Sequence, residues 1–352
     1  MPLISLQTRI LNGNNIAKSG KTDLAFLFVR LTKMREYILE NDHVRVTFLD
    51  YGGTITSIVK KSNGTNYVLS YLNLKDYENN PYYFGTTIGR TSGRTYPPRY
   101  KKYNGEEITL DINEGDLNLH GGCEGLHKKY WNVNHISKEI YELSYIDSDY
   151  HYEEMLLRIR YRLIENSLII EYFGKSDEPT ICNLTNHTYF NLNRDKRQGI
   201  ENHWLKISPS KIQIIDEKFV PTEEYSDMTS KCYKAYNFEN LKQVNEAFRL
   251  PTDLSRICAE GIDLAYVFES RNPEIILQSE NKENTLKITT DRECAVVYSL
   301  NKVNERCKVR DGGLVTKYGG ITFEMQERPN YLNTKDDYFI RYYHSLTKYT
   351  IE

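Results

Sequence analysis

One stretch of this chain combines a residue type that transfers protons with residue types that hold polar substrates. It runs from Asn183 to Leu192 as Asn-Leu-Thr-Asn-His-Thr-Tyr-Phe-Asn-Leu, with its histidine at His187. A glutamate, Glu324, lies far downstream in the run Gly-Ile-Thr-Phe-Glu-Met-Gln that starts at Gly320. A histidine and a carboxylate that meet in a polar cleft can act as general acid and general base on one small substrate. We expect the chemistry of the protein to depend on this pair.

Three further polar clusters could hold such a substrate. Arg90 and Arg94 lie in a glycine-containing turn, His120 precedes two glycines, and Asp263 follows Gly-Ile in an apolar setting. Each cluster also has a structural interpretation, because turns favour such residues whether or not they bind anything. Together with His187, they fit the binding of a neutral polyhydroxylated substrate and proton transfer to it.

The sequence contains no convincing metal or cofactor motif. Cys123 stands between His120 and His127 and could begin a zinc site, but no second ligand cluster completes it. The glycine-containing turn lacks the lysine and the strand-to-helix context of a phosphate loop, and no Gly-x-Ser-x-Gly elbow is present. We therefore expect neither a bound metal nor a cofactor.

The elements that would position these residues are mostly short strands separated by turns. In the clearest case, apolar residues from Leu157 to Leu163 alternate with Arg158, Arg160 and Arg162, which predicts a strand with one solvated face. Other predicted strands lie near residues 44–48, 275–277, 286–289, 295–299 and 321–323. Helix is scarce: only Leu241, Val244 and Phe248 have helical spacing, with Asn240 as a potential cap. This pattern predicts an all-β fold, a large antiparallel β-sandwich with few helices.

Composition excludes several classes of partner. The chain has 352 residues and a formal net charge of −2, so no overall basic field would attract nucleic acid. No apolar run reaches the roughly 18 residues needed to cross a bilayer, so we expect no membrane association. Six cysteines without a Cys-x-x-Cys pair fit the reducing cytoplasm better than a secreted disulfide framework.

The chain divides into a short N-terminal part and one large domain. Residues 1–33 are polar and basic, with one apolar patch from Leu24 to Val29 that is too short and too late for a signal peptide. We interpret them as a flexible extension or as the result of a misplaced start, with Met34 as the true first residue. Residues 34–352 contain no repeat and no linker, which favours a single domain.

Five of these motifs, in this order, resemble the aldose 1-epimerase (galactose mutarotase) family from near Arg35 to the C-terminus. The Asn-His-Thr-Tyr-Phe-Asn run is the most specific of them. The five motifs are Gly89-Arg90 with Arg94, Leu119-His120-Gly121-Gly122, Asn186 to Leu192, Gly261-Ile262-Asp263 and Phe323-Glu324-Met325-Gln326.

The resemblance implies a galactose mutarotase-like supersandwich with an open cleft, no cofactor, and a small sugar as substrate. It assigns the general acid to His187 and the general base to Glu324, and sugar contacts to Arg94, His120, Thr188, Tyr189 and Asp263. The implied reaction interconverts the α and β anomers of free aldohexoses such as galactose and glucose by ring opening and reclosure. That reaction needs Glu324 ionised and His187 protonated, a state that the proximity of opposite charges would favour.

Two departures from the family pattern bear on which sugar is preferred. Gly93 stands where family members often have asparagine, and Val296 falls near a glutamine that contacts the sugar in some of them. Two other functions stay open: a hexose-6-phosphate 1-epimerase, with Arg90, Arg94 and Arg99 as a phosphate pocket, and a non-catalytic carbohydrate-binding protein. A glycoside hydrolase fits less well, because it would normally need two catalytic carboxylates.

Overall fold

β-strands dominate the computed structural model, which describes residues 33–226 and 228–352. Residues 34–352 form one compact unit. The prediction for residues 1–33 falls almost entirely on residues 1–32, which lie outside the described residues. The all-β prediction is confirmed, since the described residues contain only two short α-helices, α1 (Asp253–Ile257) and α2 (Tyr331–Thr334). No helix in this part of the chain is long and apolar enough to cross a bilayer.

Twenty-five strands make up the described fold. The first twelve are β1 Glu36–Glu40, β2 Val44–Leu49, β3 Ile55–Lys60, β4 Thr65–Asn66, β5 Thr87–Ile88, β6 Arg94–Thr95, β7 Arg99–Lys101, β8 Glu107–Thr109, β9 Asn118–Leu119, β10 Asn132–Ser137, β11 Ile140–Asp147 and β12 Met155–Ile164. The others are β13 Ser167–Thr180, β14 Thr185–Asn186, β15 Tyr189–Phe190, β16 Trp204–Ile207, β17 Ser210–Ile215, β18 Pro221–Ser226, β19 Lys242–Gln243, β20 Asp263–Phe268, β21 Glu274–Gln278, β22 Thr285–Thr290, β23 Cys294–Tyr298, β24 Ile321–Gln326 and β25 Ile340–Ile351.

Two large antiparallel sheets form the sandwich. The nine-stranded sheet has the order β10-β11-β12-β13-β25-β22-β21-β16-β19, and the six-stranded sheet has the order β15-β24-β23-β20-β17-β18. A four-stranded sheet, β1-β2-β3-β4, and three two-stranded pairs, β14-β5, β6-β9 and β7-β8, complete the fold. β25 lies in the middle of the larger sheet, between β13 and β22.

The main hydrophobic core lies between the two large sheets. On β12, Leu157, Ile159, Tyr161 and Leu163 are buried in it, while the arginines between them are only partly covered, as the sequence predicts. From one sheet to the other, the ring of Phe190 on β15 contacts that of Tyr349 on β25, with 5.2 Å between their centroids. Because β-branched and aromatic side chains fit the pleated surface of a sheet, such residues form these strands and fill the core at the same time.

The second face of the six-stranded sheet, opposite the core, carries Glu324. On β24, Ile321, Phe323 and Met325 belong to the core, and successive side chains of a strand point to opposite faces. Glu324 therefore points away from the nine-stranded sheet, and it is nonetheless buried, with 2 % of its surface exposed. The cavity described below lies on this second face.

The predicted helix near Leu241 is wrong. Lys242–Gln243 pairs with Trp204–Leu205 as the edge strand β19, and Val244–Ala247 continues as a short 3-10 helix. Val244 is buried, so the apolar spacing marks a buried face, but the segment is not an α-helix. Backbone pairing to the edge of the sheet outweighs the weak local preference for helix.

Candidate active site

A cavity of about 250 Å³ opens on the face of the six-stranded sheet that is turned away from the core. Side chains from the sheet form its floor, and loop residues that follow short strands form its walls. Six of the seven residues predicted from the sequence line it: Arg94, His120, His187, Tyr189, Asp263 and Glu324.

Backbone hydrogen bonds hold His187 in place at one end of the cavity. The residue directly follows β14, and the pairing of β14 with β5 continues through it. Its N–H donates to the carbonyl of Thr86 at 2.9 Å, and its own carbonyl accepts from the N–H of Gly85 at 3.1 Å. The imidazole is 4 % exposed, and its Nδ1 has no hydrogen-bond partner among the described residues.

Glu324 reaches the same point from the sheet itself. It lies within β24, opposite Val296 of β23. Its Oε1 accepts from the hydroxyl of Thr322 at 3.3 Å, whereas its Oε2 is buried without a partner in the described part of the chain. One carboxylate oxygen is thus oriented by the protein, and the other is available to a substrate.

The two side chains meet: Nε2 of His187 lies 3.2 Å from Oε1 of Glu324. Burial raises the pKa of Glu324 to about 8, and the nearby charge of Asp263 acts in the same direction. Burial also lowers the pKa of His187 to about 3. Burial therefore favours a neutral imidazole beside a neutral carboxyl group, which is opposite to the sequence-based expectation of an ion pair.

His120 lies beside this pair on a tight turn. Its φ is +56°, and it is followed by Gly121 at φ +81°, where a Cβ would stand 2.1 Å from the carbonyl oxygen of Gly89. Gly93 donates its N–H to Nδ1 of His120 at 3.3 Å and accepts the N–H of His120 at 3.1 Å. Since Nδ1 is an acceptor, a neutral His120 carries its proton on Nε2. Burial lowers the pKa of His120 well below its usual range, which keeps the ring neutral.

Arg94 is held between two carboxylates. Its Nε and Nη2 bond Glu114 at 2.6 and 3.1 Å, and its Nη1 and Nη2 bond Asp263 at 3.3 and 3.4 Å. Although burial opposes the charge, Asp263 and Glu114 hold the pKa of Arg94 above its usual value. The guanidinium is thereby fixed in orientation, and its charge is balanced locally.

Thr188 is not where the resemblance placed it. Its side chain is buried, its hydroxyl donates to Oδ1 of Asn186, and it does not line the cavity. In an extended segment, alternate side chains point in opposite directions, so Thr188 faces away while His187 and Tyr189 face the cavity. Thr188 supports the turn that carries His187.

The phosphate pocket that Arg90, Arg94 and Arg99 could have formed is also not there. Arg90 is buried and bonds Asp147 and the carbonyl of Ile181. Arg99 is exposed and faces Glu107. Neither lines the cavity, so only Arg94 of the three does.

Several lining residues were not singled out in the sequence. Glu114 lies in the loop between β8 and β9, and Phe219 and Lys302 come from two further loops. Phe219 packs under both cations, 4.7 Å from the guanidinium of Arg94 and 4.4 Å from the ammonium of Lys302. Only the tertiary fold brings these segments together, so no local spacing could have indicated them.

One group in the described residues has the spacing of metal ligands. His120, His187 and Glu324 each offer an atom, and these atoms lie within 4.8 Å of one another. Two imidazoles and a carboxylate are ligands that zinc accepts, and a catalytic zinc commonly has three protein ligands. Such an ion would occupy atoms of His187 and Glu324, the two residues to which the resemblance assigns proton transfer. The alternative set around Cys123 does not form, and Cys123 is an exposed free thiol.

Comparison with known proteins identifies the family of this chain. The family model for aldose 1-epimerase matches residues 35–337. An aldose 1-epimerase of Haemophilus influenzae is 29% identical over 301 residues, covering 83% of this chain and 86% of the relative. Human galactose mutarotase is 27% identical over 308 residues, covering 85% of this chain and 87% of the relative.

Solved structures share the architecture. A galactose 1-epimerase from Lactobacillus acidophilus NCFM superposes with a TM-score of 0.78 at 26% identity, covering 91% of this chain and 98% of the other. An aldose epimerase homologue from C. elegans gives a TM-score of 0.81 at 22% identity, covering 91% and 99%, which bears on the fold alone. The family match spans most of the described residues and includes every predicted site residue. This chain therefore belongs to the aldose 1-epimerase family and is an isomerase.

Proposed function

We propose that this protein interconverts the α and β anomers of free aldohexoses, with galactose and glucose as substrates. One observation carries the proposal: the 3.2 Å approach of His187 to Glu324 in a cavity that also contains the Arg94–Asp263 pair. A pyranose needs one base at its anomeric hydroxyl and one acid at its ring oxygen, and these two groups supply them.

The proposed reaction proceeds through the open-chain aldehyde. Ionised Glu324 takes the proton of the anomeric hydroxyl while protonated His187 gives a proton to the ring oxygen, and the bond between the ring oxygen and the anomeric carbon breaks. Rotation about the bond next to the aldehyde carbon exposes its other face. Reclosure returns both protons to their starting positions, so the enzyme is unchanged after each turnover.

Burial assists the ring-opening step. The reactive ion pair and the neutral pair hold the same number of protons and differ by one proton shift across the 3.2 Å separation. Opening the ring turns ionised Glu324 and protonated His187 into their neutral forms. A cavity that raises the pKa of the glutamate and lowers that of the histidine makes the base stronger and the acid stronger, and it stabilises the state that accompanies the aldehyde.

The charge of the cavity favours a neutral sugar over a sugar phosphate. The charge of Arg94 is balanced by Glu114 and Asp263, so the guanidinium presents no surplus positive charge to an anion. Lys302 lies at the wall against Phe219 and is the other cation that lines the cavity within the described residues. Two carboxylates and a guanidinium instead offer acceptors and donors for hydroxyl groups.

The cellular setting proposed here is the cytoplasm. All six cysteines of the sequence are free thiols, and Cys182, Cys258 and Cys294 are buried. Free thiols persist in a reducing compartment.

Polarimetry on freshly dissolved α-D-galactose and α-D-glucose tests the proposed function directly. We expect micromolar enzyme to speed the decay of optical rotation well above the buffer rate without added metal or nucleotide. A decay at the buffer rate for both sugars would refute the proposal and favour a carbohydrate-binding protein. Faster turnover of glucose 6-phosphate than of glucose would favour the hexose-6-phosphate epimerase instead.

A further inference from the structure

A row of four side chains crosses the floor of the cavity from Glu324. Glu324 on β24 is opposite Val296 on β23, and Val296 is opposite Ala265 on β20. β20 and β17 pair through Tyr266 and Ile212, so the next residues on the two strands, Ala265 and Gln213, continue the same row. All four members of the row line the cavity.

The far end of this row carries a fixed, unused hydrogen-bond acceptor. The amide nitrogen of Gln213 donates to the carbonyls of Thr222 at 2.8 Å and Pro329 at 3.2 Å. These two bonds set the orientation of the amide and leave its Oε1 as the free end. That oxygen is buried and has no partner anywhere in residues 33–226 and 228–352, and the residue itself is 0% exposed.

A buried acceptor without a partner is costly, which indicates that something else supplies its donor. Leaving such a group unsatisfied typically costs about 1–3 kcal/mol. Val296 and Ala265, the two residues between it and Glu324, have no polar side-chain atoms and cannot provide a donor. Because Gln213 lines the cavity, a hydroxyl group of a substrate bound there can supply the donor.

The spacing fits one sugar ring. Three strand-to-strand steps separate β24 from β17, so the two backbones lie about 14 Å apart. Side chains stand roughly perpendicular to a sheet, and a pyranose that lies along the row with a hydrogen bond at each end spans most of this distance. If its ring oxygen and anomeric hydroxyl face His187 and Glu324, the bond between carbons 3 and 4 lies on the opposite edge of the ring.

We propose that Gln213 is a specificity-determining residue whose Oε1 accepts a hydrogen bond from the sugar hydroxyl on carbon 3 or carbon 4. This inference rests on the proposed function, because it places the reacting end of the sugar at Glu324. Val296 and Ala265 then form a flat apolar floor under the ring carbons. Specificity follows because a polar group left unpaired by the wrong sugar disfavours that sugar.

The test is a cycle of one enzyme variant against a set of deoxy sugars. Wild-type and Gln213→Leu proteins are compared on glucose and on its 2-, 3-, 4- and 6-deoxy derivatives, with kcat/KM measured by polarimetry and NMR anomer exchange. We expect Gln213→Leu to lose about 3- to 10-fold on glucose and on the 2- and 6-deoxy sugars, as for one neutral hydrogen bond. One sugar, either the 3-deoxy or the 4-deoxy derivative, already lacks the donating hydroxyl. On that sugar, Gln213→Leu and wild type should have the same kcat/KM.

Gln278→Leu is the matched control, since Gln278 bonds Thr285 in the other sheet and does not line the cavity. It should behave as wild type on all five sugars. The inference would be overturned if Gln213→Leu lowered kcat/KM equally on every sugar or on none. It would also be overturned if the effect of the substitution vanished on the 2-deoxy or the 6-deoxy sugar. Wild-type protein that shows no anomer exchange with any of these sugars, nor with galactose, would instead refute the proposed function, so the two failures are distinct.

Discussion

Nε2 of His187 and Oε1 of Glu324 lie 3.2 Å apart, with both side chains buried. Neither residue reaches this position through local sequence. His187 is placed by its pairing to Thr86, and Glu324 by its register in β24 opposite Val296. The pair shares its protons, so any change to one residue changes the protonation of the other.

Replacing Glu324 with glutamine should remove most of the activity and raise the stability. We expect kcat to fall by about 10²–10⁴-fold, since one acid–base group is lost while shape is kept. Near-normal turnover by a folded Glu324→Gln protein, measured by polarimetry, would place the base elsewhere.

The stability gain of Glu324→Gln should depend on pH. The pKa of Glu324 is about 8 in the folded protein and 4.5 in an unperturbed glutamate. The folded state binds the proton of Glu324 more tightly than the unfolded state does. The stabilisation of the wild-type fold by this proton is therefore complete below pH 4.5 and is lost as the pH rises through 8. Thermal melts should show a Tm advantage for Glu324→Gln that grows over this interval to at least about 2–4 °C. A constant difference between pH 4.5 and 8 would contradict the raised pKa.

The rate should depend on pH with a broad plateau and a basic limb near pH 8. The His187–Glu324 pair is net neutral over a wide pH range. This range begins where His187 loses its proton, at its pKa of about 3, and ends where Glu324 loses its own, at its pKa of about 8. The basic limb therefore reports loss of the proton from the carboxyl group of Glu324, whose pKa burial raises. The measurement is kcat/KM from pH 4 to 9.5, with buffer rates subtracted. A basic limb near pH 6.5 would show that His187 titrates as an ordinary histidine.

Removing Glu114 should make the cavity receptive to anions. Glu114→Gln leaves Asp263 as the only carboxylate bonded to Arg94, so the net charge of this cluster rises from −1 to 0. We expect glucose 6-phosphate to inhibit the variant at least about 5-fold more strongly than wild type, because removing a negative charge within about 4 Å of a bound anion is worth 1 kcal/mol or more. Glu107→Gln is the control, since it frees Arg99 at the surface instead. Equal inhibition of all three proteins would show that Glu114 does not govern anion binding.

Added Zn²⁺ should inhibit, and EDTA should restore the rate. His120, His187 and Glu324 present three suitable ligand atoms within 4.8 Å of one another, and the ion would block the access of a sugar to His187 and Glu324. Inhibition should be competitive with galactose, and His120→Asn should weaken zinc binding by at least about 10-fold. EDTA alone should leave the rate of the untreated enzyme unchanged, and a loss of activity on chelation would mean that a metal takes part in the reaction.

The sequence predicted the strands well because their periodicity is local. The alternation from Leu157 to Leu163 appears unchanged in β12, and the run at residues 321–323 forms the start of β24. The helix near Leu241 was mispredicted because the edge pairing of β19 with β16 cannot be read from local spacing. For the site, the motifs supplied six lining residues, whereas Glu114 and Gln213 entered only with the loop and strand arrangement. The neutral state of the His187–Glu324 pair depends on burial, which no motif contains.

The central position of β25 has a consequence for how the protein is made. Residues 340–351 pair with β13 on one side and β22 on the other, so they join the two halves of the nine-stranded sheet. During synthesis, every earlier strand of that sheet leaves the ribosome before the strand that unites them. The core face of the six-stranded sheet, and with it the support of β24 beneath Glu324, has no complete partner until then. Such long-range pairing is slow to form, and the nascent chain exposes apolar surface until β25 has paired with both neighbouring strands. We therefore expect production of active enzyme in cells to depend on chaperones and on an intact C-terminal strand.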